Sequence, residues 1–126
     1  MEYDCIYNAK NNTIETTTHG LAKADVFIKM VRSIIEECKQ HEIANLIVDH
    51  TDLDSSPLTI DNIETVKKIT ISFKSILNNR KIAFVVSRDL ELGLIRAWEN
   101  MIEWSGGTAI ETKIFKKRED ALKWVK

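Results

Sequence analysis

At 126 residues, 44% of them hydrophobic and 29% charged, the chain has the make-up of one globular domain that buries a single core without disulfide or metal staples. A formal net charge of -1 argues against a general attraction for nucleic acid, and Lys67-Lys68 and Lys116-Lys117-Arg118 read as solvated faces. No run approaches the roughly 18 apolar residues of a membrane span, and the N-terminus lacks a basic stretch followed by an apolar one, so a cytoplasmic protein without membrane insertion is expected.

In chain order, Tyr3, Cys5 and Tyr7 alternate with Asp4, Ile6 and Asn8, and Ile14, Thr16 and Thr18 alternate in a second β-rich run. Ala9-Lys10-Asn11-Asn12 between them suits a hairpin turn, because asparagine tolerates positive φ. His19-Gly20 is expected to break the second strand. A helix follows from about Ala22 to His41, with Phe27, Met30, Val31, Ile34, Ile35 and Cys38 on one stripe and Lys29, Arg32, Glu36 and Lys39 outside. Cys38 then reads as a small core residue, and Cys5 has no partner at ligand spacing, so neither suggests a metal site or a disulfide.

Asn45 to Asp49 reads as a buried strand, and His50 to Leu58 as a loop leading to Thr59, an N-cap with Asp61 in the first turn. Ile69-Thr70-Ile71-Ser72-Phe73 alternates like a strand. The wider stripe Ile63, Val66, Ile69, Thr70, Phe73, Ile76, Leu77 runs over about four helical turns and decides for a helix.

Lys81 to Ser87 has five central apolar residues without alternation, the pattern of a strand covered on both faces. Ser87 or Asp89 can cap the helix that follows, from about Leu90 to Trp104. Its apolar face is expected to hold Leu90, Leu94, Ala97, Trp98, Met101 and Ile102, with Gly93 at the edge allowing close approach and Gly106-Gly107 as the left-handed stop. Ala109 to Phe115 reads as the last strand. Arg118 to Val125 closes the chain as a short helix that docks Ala121, Leu122 and Trp124.

The fold class is α/β: one domain over residues 1–126, a mostly parallel five-stranded sheet opened by an antiparallel hairpin, in the order β-β-α-β-α-β-α-β-α. If the strands lie in sequence order, right-handed connections put the three crossover helices on one face. The other face then needs the last helix, a displaced strand or a second subunit to cover it.

The run KIAFVVSRDLELGLIRAWENM, followed after Gly107 by IFKKREDALKWV, resembles the C-terminal half of the SpoIIAA-like family of STAS-fold proteins. The positions that carry the likeness are Ser87, Gly93, Arg96, Trp98, Glu99, Phe115, Glu119, Ala121 and Trp124. The resemblance implies a binding fold without known catalysis, used in antagonists of anti-sigma factors, in anion transporters and in sensory modules. Related lipid-transfer domains have an overlapping fold description. In the antagonists the first serine of an Asp-Ser-Ser-Gly motif is phosphorylated, which makes Ser55 of Asp54-Ser55-Ser56-Pro57 the matched acceptor. Here proline replaces the glycine, fixing φ and removing a backbone donor, so a plain polar turn is the competing reading.

Asp49, His50, Asp52 and Asp54 crowd metal-ligand types within six residues, against the simpler reading of solvated turn residues. Asp49 with Ser87 could end adjacent strands as a receiver-like pair, but the acidic pair after a first parallel strand and a lysine before proline after the last are missing. No nucleophile and base can be paired from the sequence, and no glycine-rich phosphate loop is present. The expected role is that of a regulatory or protein-interaction module, not an enzyme, with no cofactor. The alternative is a carrier or sensor of a small apolar, lipid-like ligand held near Trp98, Met101 and Trp104. Candidate partner or ligand contacts are Asp49, His50, Ser55, Ser87, Leu92, Arg96 and Trp98. A homodimer is expected from the apolar Leu92 on an otherwise charged helix face and from an uncovered sheet face.

Overall fold

The computed structural model describes residues 1–126. The chain opens with β1 (Glu2–Asn8) and β2 (Thr13–Leu21), an antiparallel hairpin whose turn places Asn12 at φ 52°. Helix α1 (Ala24–Gln40) crosses to β3 (Asn45–Asp54), and α2 (Ile60–Ser72) with the single turn α3 (Lys74–Leu77) crosses to β4 (Lys81–Val85). Helix α4 (Asp89–Trp104), β5 (Glu111–Phe115) and α5 (Arg118–Val125) complete the chain. The strands lie in sequence order, β1-β2-β3-β4-β5, and every pair after the hairpin is parallel.

The expected second face is covered by the chain's own last helix. On one side of the sheet, Ile14, Leu46, Val48, Ile82 and Phe84 meet α1, α2 and α4 in the main core. On the other side, Ile47, Ala83 and Val85 meet Ala121 and Val125 of α5, with Phe115, Leu122 and Trp124 packed around them. The strand period of two explains the division, since successive residues of β3 and β4 point to opposite layers.

Several local readings are corrected. His19-Gly20 does not end β2: after an irregularity between Thr17 and His19, the strand continues with His19, Gly20 and Leu21 beside Asp52, Leu53 and Asp54. Strand β3 is therefore longer than expected, and His50 to Asp54 belong to it and not to a loop. The segment around Ile69 is helical, but the helix breaks at Phe73, whose N–H is shared between the carbonyls of Ile69 and Thr70. Thr70 and Ser72 hydroxyls bond back to the carbonyls of Val66 and Lys68, which competes with the regular ladder at that end.

Thr59 caps α2 as expected, in a reciprocal box with Asn62. Neither Ser87 nor Asp89 caps α4, whose N-cap is Arg88 without a side-chain cap bond. The buried stripe of α4 is Glu91, Ile95, Trp98 and Ile102, so the face is rotated from the expected one and Leu90 is exposed. Gly93 is exposed and nothing approaches it, so it serves no close packing. Gly106 and Gly107 do adopt positive φ at the end of α4.

Candidate functional site

The helical layer does not close completely over the sheet. Between α1, α2, α4 and the faces of β3 and β4 lies a cavity of about 120 Å³, and 17 of the 21 residues that line it are hydrophobic. The sheet supplies Leu46, Val48, Ile82 and Phe84 as its floor, and Met30, Ile34, Ile63 and Ile95 are among the helical residues that wall it. Only Val31, Leu58, Val66 and Leu94 of the lining keep appreciable solvent exposure, which puts the opening at the outer rims of α1, α2 and α4.

Four polar residues, His50, Ser55, Thr70 and Glu91, interrupt the apolar lining. His50 lies on the same face of β3 as Leu46 and Val48 and is 5% exposed. Its Nδ1 is 2.8 Å from Thr18 Oγ1, and that hydroxyl donates to the Asp49 carbonyl at 3.1 Å. Burial pushes the imidazole down to about 4, against the upward pull of the Asp49 and Glu91 carboxylates. The ring is neutral near pH 7.

Glu91, 2% exposed, comes from the first turn of α4. Arg88 donates to both its oxygens at 2.7 Å, and Ser55 donates its backbone N–H at 3.1 Å and its hydroxyl. Burial pushes the Glu91 carboxyl up, but the Arg88 and Ser55 hydrogen bonds outweigh it and hold the group below the usual carboxylate range. Thr70 accepts from Trp98 Nε1 at 3.3 Å and donates to the Val66 carbonyl, and Trp98 meets Phe84 edge-on with centroids 5.6 Å apart.

Of the seven contacts expected from sequence, the structure brings His50, Ser55 and Trp98 to this cavity. Asp49 points to the opposite face, where its carboxylate takes the Thr51 N–H at 3.0 Å, the Thr51 hydroxyl at 2.6 Å and Arg118 at 3.1 Å. Arg118 also binds Thr17 and Glu15, tying the start of α5 to β2. Ser87 donates to the Thr51 carbonyl, away from the Asp49 carboxylate, so the two form no receiver-like pair. Arg96 is exposed, 3.9 Å from Glu99. Leu92 is half-buried and packs on the main core, and so does not form the exposed patch expected of it. Met101 is half-buried and Trp104 is 92% exposed, and neither lines the cavity.

The four metal-ligand types from Asp49 to Asp54 do not converge: strand alternation sends Asp49 and His50 to opposite faces, and Asp54 faces Arg88 at 3.2 Å. Cys38 is buried and its thiol is pushed up to about 11 by burial, which makes it an inert core residue.

Two residues escaped the reading of the sequence. Glu91 shares the spacing of Ile95, Trp98 and Ile102, and that spacing, with Arg88 three residues before it, is the available signal. Arg80 is 2% exposed and donates to the carbonyls of Cys38, His41, Ala44 and Ile76, joining the ends of α1 and α3 to the approach to β3. No local pattern around Arg80 announces those partners.

A family described as SpoIIAA-like matches residues 13–126, from the start of β2 to the C-terminus. The fold is similar to the crystal structure of an uncharacterized protein of the DUF3478 family, with a SpoIIAA-like fold, from Shewanella loihica PV-4. The likeness has a TM-score of 0.60 at 16% identity over 90% of this chain and 84% of that one. No curated protein matches the chain. The matched span takes in four of the five strands and all the helices, and on it the chain belongs to the SpoIIAA-like family.

Proposed function

We propose that this chain is a non-catalytic binding module that holds a small apolar molecule between its sheet and helices, as carrier or sensor. The cavity is the observation that carries the reading, because close-packed interiors rarely keep such space. An apolar cavity of roughly 150 Å³ takes up benzene, whereas drug-sized sites measure roughly 300–1,000 Å³. At about 120 Å³ the ligand is one ring or a short chain. The polar lining supports binding over catalysis: Ser55 is committed to Glu91, and His50 has only Thr18, whose hydroxyl already serves a backbone carbonyl. Native mass spectrometry of protein purified from its own host tests this. A retained small molecule supports it, and a bare chain that also takes up none of a panel of ring-sized hydrocarbons contradicts it.

A second reading, a regulatory or protein-interaction module that includes self-association, is favoured by the exposed Leu21, Ile60 and Leu90. They lie where β2 ends and α2 and α4 begin, at one end of the sheet. The exposed edge strand β1, with Ile6 outward, adds a surface for a second copy. Sedimentation velocity over a hundredfold concentration range tests the self-association: a single species of one-chain mass throughout removes the homodimer from this reading.

A further inference from the structure

We infer that the cavity selects a neutral apolar molecule carrying one hydrogen-bond donor, an alcohol or phenol, whose O–H is accepted by Nε2 of His50. This rests on the cavity reading above and adds the chemistry of its ligand.

The tautomer follows from hydrogen counting. Thr18 Oγ1 lies within bonding distance of both the Asp49 carbonyl and His50 Nδ1. A hydroxyl has one proton, and a carbonyl can only accept. Both bonds form together only if Thr18 donates to the carbonyl and Nδ1–H donates to Thr18. The neutral ring then carries its proton on Nδ1 and a bare lone pair on Nε2. Nε2 makes no hydrogen bond within the protein, although every side-chain nitrogen and oxygen fully sealed from solvent has a partner. Nε2 is thus not sealed off, and the cavity is the open space that the 5% exposed His50 lines.

The remaining polar liners are engaged: Glu91 Oε2 takes three donors, and Thr70 Oγ1 accepts from Trp98. Nε2 has no partner within the protein, so a ligand that supplies a donor there gains over a hydrocarbon of the same size. Charge sets the other limit. No lysine or arginine lines the cavity, and the Glu91 carboxylate does. A carboxylate ligand would lose its hydration and find no cation free to replace it, because the nearby Arg88 is committed to Glu91 and Asp54. The site therefore rejects free acids and admits the corresponding alcohols.

Calorimetric or NMR titration of the wild-type chain at neutral pH with phenol, benzene and benzoate tests this. Phenol binds about fivefold tighter than benzene, equivalent to about 1 kcal/mol, and benzoate binds at least a hundredfold more weakly than phenol. His50→Phe keeps the ring and removes the acceptor, so the roughly fivefold preference for phenol over benzene is lost. Should that variant fail to fold, the ¹⁵N resonance of wild-type Nε2 supplies the answer: it shifts toward the hydrogen-bonded position with phenol and not with benzene. Phenol no tighter than benzene, benzoate as tight as phenol, or an unmoved Nε2 resonance overturns the inference and leaves the cavity reading standing. Failure of all three compounds, benzene included, overturns both.

Discussion

The hydroxyl and the backbone N–H of Ser55 both donate to the same carboxylate oxygen of Glu91, tying the end of β3 to the first turn of α4. The contact is buried on both sides, and Arg88 completes the carboxylate's partners from the solvent side. Loss of the acceptor leaves two donors of Ser55 without a partner in a place water does not reach.

Glu91→Ala therefore lowers stability by roughly 1–3 kcal/mol, and Ser55→Ala by about 1 kcal/mol, because the latter leaves the carboxylate its other donors. Urea denaturation measures both. Ser55→Ala is also expected to leave partner binding unchanged and to remove no phosphorylated species from cell extract, since the 2% exposed hydroxyl faces a carboxylate that a phosphate would repel. Detection of phosphate on Ser55 by mass spectrometry would count against this role.

Arg80 gives the largest single effect expected outside the apolar core. Its guanidinium donates at 2.6–3.0 Å to four main-chain carbonyls at the ends of α1 and α3 and before β3, with no carboxylate partner. Arg80→Met strands those carbonyls and costs about 3 kcal/mol or more. Arg80→Lys does not restore it, because one ammonium cannot reproduce the planar fork. A lysine variant as stable as wild type in thermal unfolding would contradict this.

The buried His50 makes stability depend on pH in a defined window. The folded ring titrates at about 4, and the ordinary value is 6.5. Between the two, the unfolded chain takes up a proton that the folded chain refuses. This contribution is therefore neutral above about pH 6.5, and stability falls as pH drops toward 4, by on the order of 3 kcal/mol. The carboxylates of Glu15, Asp49 and Glu91 are held below their usual range, so their losses come as pH falls further, through their folded values. His50→Phe removes the first step and leaves the second. Equal pH slopes for wild type and variant between pH 4 and 6.5 would rule out the buried neutral imidazole.

Val85 tests the two-layer packing of the sheet. At 1% exposure it sits in the smaller core with Ile47, Ala121 and Val125, under α5. Val85→Asp puts a carboxylate there without a partner, at a cost of more than about 4 kcal/mol, a large part of the stability of a domain this size. The expected outcome is loss of cooperative unfolding. A soluble variant with wild-type melting behaviour would reject the packing.

Most of the fold was legible because it rests on local signals. The unbroken apolar run ending β4, the Thr59 cap and the paired glycines after α4 each specify their own conformation from neighbours in the chain. The phase of α4 was misread because Leu90 is more hydrophobic than Glu91, yet it is Glu91 whose carboxylate finds donors, in the buried Ser55 and in Arg88 at the surface. Strand β3 was cut short for the same reason. His50 looks like a loop residue until Thr18, on the neighbouring strand, satisfies its Nδ1. Polar residues enter this core through partners distant in sequence, and the polar end of the cavity is made of such residues.

The central claim, an apolar molecule held under α1, α2 and α4, is tested most directly by methyl NMR of the isoleucine, leucine and valine groups during titration with benzene. The account predicts saturable shifts at Ile34, Ile63 and Leu46, which line the cavity, and none at the exposed Leu21, Ile60 and Leu90. Val66→Phe, at the rim, is expected to fold within about 1 kcal/mol of wild type and to abolish those shifts by occupying the opening. Shifts confined to the exposed residues, or no saturable change at any lining methyl, would contradict it.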